Sequence, residues 1–254
     1  MKTEFQVKNI KLCTGVPRIC VPLVAKDLPT LGEALAAAKE SPCDLVEFRA
    51  DHLQDLTAGE EINTELLREA LHMIRQQLGD MPVLFTVRTA AEGGACAVSD
   101  EVYEDLILEA ARSGLIDLAD VEMLRDEEMS RELVRRLHEA GMPVIGSNHH
   151  FEGTPPKEEI IRALVTMQEL GADITKMAVM PHTRGDVLQM MDASVQMYER
   201  YADRPYVTMA MGELGLVTRV GCALTGSVFT FATAGIASAP GQIGAGLLKE
   251  LLDS

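Results

Sequence analysis

Short apolar runs alternate with amphipathic stretches from one end of the chain to the other. Eight of the runs resemble buried strands in length and composition. They are Ile19–Ala25, Asp44–Asp51, Val83–Thr89, Ile116–Met123, Val144–Phe151, Ile174–Pro181, Tyr206–Gly212 and Ser227–Ala232. A regular alternation of strand and helix predicts a parallel sheet that carries its helices on the outside.

The stretches between these runs repeat apolar residues at the spacing of one helix face. In Asn63–Leu78 the apolar positions follow an asparagine that can cap the helix. In Thr154–Gly171, we expect Thr154 to cap, Pro155 to take the first helical position and Gly171 to end the helix. Similar patterns cover Glu101–Ser113, Glu127–Gly141, Asp186–Tyr201 and Gln242–Leu252, whereas Leu214–Ala223 is shorter and less regular.

Eight strand–helix units in 254 residues predict an α/β fold, a (β/α)8 TIM barrel that occupies residues 1–254 as a single domain. A doubly wound open sheet is the alternative, because periodicity does not prove that the sheet closes. No G-x-G-x-x-G motif follows the first strand, which argues against a dinucleotide site. Residues Phe5 to Gly15 are expected to form a small hairpin that closes the bottom of the barrel.

Composition narrows the classes of partner. Hydrophobic residues make up 47% of the chain, enough for one large core, and the formal net charge is −16. Such a charge repels nucleic acid and anionic membranes, so we expect neither as a partner. An anionic small molecule would have to be held by cations gathered in a pocket.

The cysteines and the N-terminal sequence bear on the compartment. Five cysteines without C-x-x-C spacing are expected to be free thiols in a reducing compartment. The first residues, MKTEFQVKNIKLC, contain no apolar signal-peptide core. The longest apolar stretch, Val228 to Ala239, is too short to span a bilayer. We therefore expect a cytoplasmic protein.

In a closed barrel alternate residues point inward, and the site forms at the carboxyl ends of the strands. A period of two sets Glu47, Arg49 and Asp51 on one face of the second strand. The same period places four further groups on common faces, namely Thr86 with Arg88, Ser147 with His149, Ile174 with Lys176 and Ala178, and Val207 with Met209 and Met211. Charged groups should therefore converge on the upper rim.

Lys176 is the sharpest candidate, because it alone of eight lysines sits inside an apolar strand. Burial there should lower its pKa, and a neutral amine can attack a carbonyl to form a Schiff base. The alternative is a strand-end lysine that reaches solvent or pairs with Asp173.

His149 and His150 are adjacent, so on a strand they face opposite ways. One of them suits a general base, and the other should lie outside the barrel or in the loop. A metal site is the competing hypothesis, but two neighbouring histidines without further spaced ligands make poor zinc geometry, so we expect no metal. A purely structural pair is the remaining alternative.

Three further segments carry candidate groups beyond strand ends. Glu92 lies in RTAAEGG, Arg219 follows the seventh strand, and ASAPGQ contains Ser238 and Gln242 in a loop suited to a lid. Each segment also has a non-functional interpretation. Loop glutamates and surface arginines are usually solvated, and a Gly/Pro loop is often a plain turn.

Taken in order, these segments resemble the type I 3-dehydroquinate dehydratase family across nearly the whole chain. The matching motifs are EFRAD, LFTVRTAAEGG, DVEM, VIGSNHHF, DITKMAVMP, TMAMGELGLVTR and SAPGQI. The resemblance implies a hydro-lyase of the shikimate pathway that needs no cofactor and converts 3-dehydroquinate to 3-dehydroshikimate. A homodimer is the corresponding expectation for assembly.

The resemblance also implies roles for individual residues. Lys176 would form the imine, His149 would move the protons, and Glu92 would orient that histidine. The substrate would be bound by Glu47, Arg49, Arg88, Met209, Arg219, Ser238 and Gln242, with Arg219 on its carboxylate. A protonated imine acidifies the neighbouring C–H, which explains why an imidazole must stand beside it.

Four positions depart from the family pattern or leave their role open. His150 stands where the family usually has Asp or Asn, and Pro22 where some relatives carry serine, so Pro22 is given no role. Asp120 and Glu122 match DVEM, but their role, on the histidine or on the rim, stays open. The sequence does not distinguish a biosynthetic from a catabolic pathway.

Two other functions are compatible with parts of the pattern. A class I aldolase-like barrel would use the same lysine to cleave a carbon–carbon bond, but it would often bind phosphate after strands seven and eight. A non-catalytic ligand-binding barrel is the second, and the presence of all four candidate groups, Lys176, His149, Glu92 and Arg219, argues against it.

Overall fold

A ring of parallel strands forms the centre of the molecule. The computed structural model describes residues 4–15, 17–58 and 61–254. The strands are β1 (Arg18–Leu23), β2 (Leu45–Arg49), β3 (Val83–Thr86), β4 (Leu118–Glu122), β5 (Val144–His150), β6 (Ile174–Val179), β7 (Tyr206–Ala210) and β8 (Phe229–Phe231). Each strand from β1 to β6 pairs in parallel with the next, and β8 pairs with β1.

The remaining gap, between β7 and β8, is bridged at its base. Val228 donates its backbone N–H to the carbonyl of Tyr206 at 3.0 Å, and Thr208 donates to the Ser227 hydroxyl at 3.1 Å. The eight strands therefore form a barrel, which confirms the predicted fold and excludes the doubly wound open sheet.

Helices surround the barrel and follow the strands in turn. They are α1 (Leu28–Lys39), α2 (Thr64–Leu78), α3 (Asp100–Arg112), α4 (Glu127–Glu139), α5 (Lys157–Glu169), α6 (Arg184–Gln196), α7 (Leu216–Val220), α8 (Cys222–Thr225) and α9 (Ala245–Asp253). A π-helical turn, Met197–Tyr201, extends α6. Short 3₁₀ turns follow β2 and β3 at Ala50–His52 and Ala90–Glu92. A two-stranded ladder, Thr57–Ala58 with Glu61–Ile62, precedes α2.

The helix starts test the predicted caps. Asn63 caps α2 as expected, because its side chain accepts from the backbone N–H of Leu66 at 3.1 Å. The prediction for α5 was wrong at its start, since the helix begins at Lys157 and the Thr154 hydroxyl instead donates to the Met180 carbonyl at 3.2 Å. That bond ties the loop after β5 to the end of β6. Gly171 follows the helix with φ of +103°, as its predicted position requires.

The interior of the barrel is packed below the site and closed by a hairpin. Strands Glu4–Val7 and Ile10–Cys13 pair in antiparallel fashion, which confirms the predicted hairpin. Leu12 of the hairpin is fully buried with the lowest inward residues of the barrel, including Leu45, Leu84 and Ile174. A separate apolar layer lies between the strands and the helices. The core thus fixes the strands and leaves only their upper ends free for chemistry.

Two predictions about the chain as a whole can be compared with this structure. All five cysteines carry free thiols, as expected. Within the described part of the chain, no helix is both long and apolar enough to cross a membrane.

Candidate active site

A pocket opens at the carboxyl ends of the barrel strands. Nine of the ten predicted site residues line it: Glu47, Arg49, Arg88, Glu92, His149, Lys176, Met209, Ser238 and Gln242. Phe151, Ala178, Met211 and Phe231 complete much of the apolar wall. The inward faces deduced from a period of two are the faces that meet here.

Three side chains form a continuous hydrogen-bonded row across this pocket. Lys176 Nζ lies 3.0 Å from His149 Nε2, and His149 Nδ1 lies 2.8 Å from Glu92 Oε2. Lys176 and Glu92 are buried, with 4% and 5% of their surface exposed, and the side chain of His149 is 9% exposed. The structure thus excludes both alternatives for Lys176, because it neither reaches solvent nor pairs with Asp173, which contacts His138.

Burial and neighbouring cations set the protonation of this row. Burial lowers the pKa of Lys176, assisted by Arg88 and opposed by Asp120. Burial also holds the pKa of His149 well below its usual range, and the charges of Arg88 and Lys176 act in the same direction. Both effects favour a neutral amine beside a neutral imidazole, which is the pair that imine chemistry requires.

Glu92 is held by two partners on β5. Its Oε2 faces His149, and its Oε1 accepts a hydrogen bond from Asn148 Nδ2 at 3.0 Å. Burial raises the pKa of Glu92 to about 8, and the charge of Arg88 opposes that shift. Glu92 is therefore not a solvated loop glutamate but a fixed neighbour of the imidazole.

Arg88 lies at the centre of a buried cluster of charged groups beneath the row. Its guanidinium donates to Asp120 Oδ1 at 2.8 Å and to Glu122 Oε1 at 2.9 Å. Glu122 also accepts from the backbone N–H and the hydroxyl of Thr89, which fixes the start of the loop that carries Glu92. Asp120 and Glu122 therefore support Arg88, and neither forms a hydrogen bond with His149.

Arg49 joins the pocket to the predicted lid. It forms a bidentate pair with Asp51, at 2.8 and 2.7 Å, and donates to the Ser238 carbonyl at 3.4 Å. Asp51 also accepts from the backbone N–H of Ala95 at 3.1 Å, in the loop after β3. One carboxylate thus orients a guanidinium that touches the loop over the pocket.

The loop itself is closed by its own side chains. Ser238 donates its N–H to Gln242 Oε1 at 3.0 Å, and Gln242 Nε2 donates to the Ser238 hydroxyl at 3.0 Å. Gly241 has φ of +77°, and a Cβ there would lie 2.2 Å from the carbonyl of Gly212. Only glycine fits this turn, which brings Ser238 and Gln242 over the pocket.

Arg219 is the one predicted site residue that does not line the open pocket. It is fully buried behind Met209 and Phe231, and it donates to the carbonyl of Pro240 at 3.2 Å. No carboxylate pairs with it among the described residues, its Nε has no hydrogen-bond partner there, and burial lowers its pKa to about 10. A buried and uncompensated guanidinium directly beside the lid is suited to bind an anion.

His150 points away from the pocket, as its parity predicts. It lies on the outer side of β5, in a groove with Glu127, Glu159 and Arg162. Among the described residues, no group of three or more His, Cys, Asp and Glu side chains is arranged to hold a metal ion.

Sequence reasoning did not assign several residues that shape this site. Asn148 faces opposite to His149 by parity, yet its amide reaches Glu92 across the loop. Ser147 was placed on the inward face without a role, and its hydroxyl donates to Asp120 at 2.7 Å. Phe231 places its ring 5.1 Å from Lys176 Nζ. Of these residues, only Phe231 has a sequence signal, because it is an aromatic residue near the end of a predicted strand.

A sequence model of the family described as Type I 3-dehydroquinase matches residues 19–254. The chain is 42% identical over 253 residues to a 3-dehydroquinate dehydratase of Clostridium novyi (strain NT), covering 100% of this chain and 98% of that protein. It is 44% identical over 252 residues to the 3-dehydroquinate dehydratase of Bacillus licheniformis, with 99% and 97% covered.

Solved structures agree with the sequence comparison. The type I 3-dehydroquinate dehydratase from Clostridium difficile, crystallised with covalent modified comenic acid, superimposes with a TM-score of 0.93 at 39% identity. The alignment covers 99% of this chain and 97% of that one. The chain belongs to the type I 3-dehydroquinase family.

Proposed function

We propose that this chain, a type I 3-dehydroquinate dehydratase, removes water from 3-dehydroquinate through an imine formed on Lys176. The product is 3-dehydroshikimate, and the step belongs to the shikimate pathway. The observation that carries the mechanism is the 3.0 Å approach of Lys176 Nζ to His149 Nε2 inside a buried pocket. It places a nucleophilic amine and a proton acceptor within reach of the same substrate carbons.

Lys176 begins the reaction as a neutral amine. Its nitrogen attacks the ketone carbon, and the carbonyl oxygen takes up protons and leaves as water. The resulting iminium withdraws electrons from the neighbouring C–H bond. Burial, which lowers the pKa of Lys176, favours the reactive form before substrate binds.

His149 then carries the protons. Its Nε2 removes a proton from the carbon next to the iminium, and the imidazolium donates a proton to the departing hydroxyl. Glu92, 2.8 Å from Nδ1, orients the ring and balances the charge that the ring gains. The row needs no metal, since the iminium is the electron sink and the imidazole is both base and acid.

The substrate is held by the remaining pocket residues. Arg219 binds the carboxylate, for which its uncompensated buried charge is the support. Ser238 and Gln242 add hydrogen bonds from the lid, and Met209 packs against the ring. The ring hydroxyls contact Glu47, Arg49 and Arg88.

The alternatives do not account for the site as well. An aldolase-like reaction would use Lys176 equally, but membership of the type I 3-dehydroquinase family and the dehydratase activity of the relatives favour dehydration. A silent binding barrel would not require the buried row of Lys176, His149 and Glu92. The covalent modification in the Clostridium difficile structure belongs to that protein, and it is compatible with a nucleophile in this fold.

Borohydride trapping tests the mechanism directly. Incubation with 3-dehydroquinate and borohydride should abolish activity and leave a stable adduct on Lys176, located by peptide mass spectrometry. Lys176→Ala is the matched control and should acquire no adduct. An active enzyme that is never labelled at Lys176 would rule out the imine.

We also infer that the chain works as a single catalytic domain in a homodimer in the cytoplasm. The free thiols support a reducing compartment. Helix α8 contacts both α6 and α7. These three helices expose apolar side chains, since Leu188 is 66%, Val217 46% and Leu224 69% exposed. This helical face is our candidate for the contact between two copies.

Light scattering after gel filtration tests the assembly. The wild type should have twice the chain mass, and Leu188→Asp combined with Leu224→Asp should shift it to one chain mass. Leu247→Asp, which changes an exposed leucine on α9, is the control. A wild-type monomer would refute the dimer and leave the mechanism untouched.

A further inference from the structure

Asp120 is buried beneath the row, and its two carboxylate oxygens differ in their hydrogen bonding. Its Oδ1 accepts from Arg88 at 2.8 Å and from the Ser147 hydroxyl at 2.7 Å. Its Oδ2 has no hydrogen-bond partner among the described residues, although the side chain is fully buried. A buried carboxylate oxygen without a partner is costly, so its position calls for a functional explanation.

The unpartnered oxygen faces the amine. Oδ2 lies 3.7 Å from Lys176 Nζ, and no other carboxylate of the described residues comes within 4.0 Å of that nitrogen. The distance is too long for a hydrogen bond to the free amine, but it lies within the 4.0 Å range of an ion pair. The register sets Glu122 on β4 and Lys176 on β6 level with Ser147 on β5, so Asp120 lies one inward position below the lysine.

The proposed reaction creates a charge at this point. A neutral amine, a ketone and one proton give an iminium and one water, so Lys176 Nζ gains a fixed positive charge inside the barrel. Arg49 and Arg88 already place two cations around the pocket. Without a nearby anion, the iminium would lose its proton or hydrolyse before His149 could act.

We propose that Asp120 is the counter-ion of the Lys176 iminium, and that its free Oδ2 accepts the iminium N–H once the imine has formed. This inference rests on the imine mechanism proposed above. Asp120 holds the protonated, electron-withdrawing form of the imine while the C–H bond breaks. Glu122, although part of the same Arg88 cluster, does not have this role because it faces Arg88 and Thr89 instead.

The charge state of Asp120 is consistent with that role. Burial opposes ionisation of Asp120, but Arg88 and Lys176 outweigh it and hold the pKa of the carboxyl below its usual value. Asp120 in turn raises the pKa of Lys176 against the larger effect of burial. Asp120 is therefore an anion throughout the pH range in which the enzyme would act.

The test compares Asp120→Asn with Glu122→Gln, two isosteric changes that each remove one buried negative charge from the Arg88 cluster. Each variant is incubated with 3-dehydroquinate and cyanoborohydride, which reduces protonated imines, over a series of pH values. The fraction of Lys176 carrying the adduct is read by mass spectrometry. Circular dichroism and melting confirm that each variant is folded.

As the pH increases, trapping should decline at a pH about one unit lower or more in Asp120→Asn than in the wild type. That shift corresponds to a tenfold decrease in the proton affinity of the imine. Its kcat should fall by about 30-fold or more, because one partner of a buried charge pair is gone. Glu122→Gln should keep the wild-type trapping profile and show its effect on KM, since Arg88 is held less firmly.

Other results would overturn the inference in distinguishable ways. Equal shifts in both variants, or none in either, would assign Asp120 only to the support of Arg88 while the imine mechanism stands. If no adduct forms on Lys176 of the wild type, both the imine mechanism and this inference are refuted.

If Asp120→Asn does not fold, infrared difference spectra of the wild type keep the question open to test. With aspartate labelled by ¹³C at its carboxyl, formation of the imine on addition of 3-dehydroquinate without a reductant should shift an aspartate carboxylate band without producing a protonated carboxyl band. Imine formation that leaves every aspartate band unchanged would refute the ion pair.

Discussion

Lys176 Nζ and His149 Nε2 lie 3.0 Å apart although the two residues are not register partners. The parallel register pairs Lys176 with Ser147, and His149 with Ala178. Lys176 therefore extends upward by one inward position to meet the imidazole, and the small side chain of Ala178 leaves the space for it. This geometry makes the lysine, and not the histidine, the deeper of the two groups.

Replacement of His149 should separate imine formation from turnover. His149→Ala should lower kcat by about 10²–10⁴-fold, the usual contribution of a general acid–base, while borohydride still labels Lys176 to some extent. His150→Ala is the matched control and should have a mild effect, because that ring lies on the outer side of β5. A dead His150 variant beside an active His149 variant would show that the base was assigned to the wrong residue.

The pH dependence of kcat/KM should report Glu92. Burial raises the pKa of Glu92 to about 8. Above that pH the carboxylate accepts the Nδ1 proton of His149 and leaves Nε2 free as a base. Below it, the protonated carboxyl donates to Nδ1, so Nε2 carries the ring proton and is unable to accept another. We therefore expect kcat/KM to rise as the pH increases through about 8, measured from initial rates.

Glu92→Gln is the control for that limb. An amide does not titrate, so the rise should move to lower pH, where His149 itself titrates with a pKa that burial holds well below its usual range. The loss in kcat should be smaller than the loss caused by His149→Ala, because the base is still present. An unchanged limb in Glu92→Gln would mean that another group controls it.

Arg219→Met should weaken substrate binding without harming the fold. Loss of a hydrogen bond to a charged group costs about 1.5–3 kcal/mol, so KM should rise about tenfold to 100-fold. The melting temperature without ligand should stay the same or increase, because the guanidinium is buried without a carboxylate partner. Differential scanning fluorimetry with and without a carboxylate-bearing substrate analogue measures both effects. A variant with unchanged KM would place the substrate carboxylate elsewhere.

Leu12→Ala tests the role of the hairpin below the barrel. The side chain is fully buried against the inward residues of the strands, so its truncation should destabilise the fold by about 2–5 kcal/mol in urea unfolding. The kcat should change little, because the site lies at the opposite end of the barrel. Ile236→Ala, at a side chain that is 71% exposed, is the control and should leave the free energy of unfolding nearly unchanged.

The strands of this protein could be predicted because their pattern is local. Each predicted run overlaps its strand, and most runs extend beyond the strand at the upper end, as in Val83–Thr89 against Val83–Thr86. Arg88 lies in that extension, where the chain leaves the sheet to form the site. The start of α5 was predicted wrongly, because the Thr154 hydroxyl found a partner on β6 that no local pattern contains.

The sequence by itself determined which residues face the pocket, since alternation along a strand does not depend on the rest of the fold. It therefore indicated Lys176, His149 and the two arginines before any distance was known. Only the tertiary structure decided how these groups are paired. The contacts of Asp120 with Arg88 and Lys176 join β4 to the segment after β3 and to β6. The burial of Arg219 behind Met209 depends on the closed loop above it. Such contacts follow from barrel closure and strand register, which bring together residues far apart in the chain, and so they are not encoded in any local spacing.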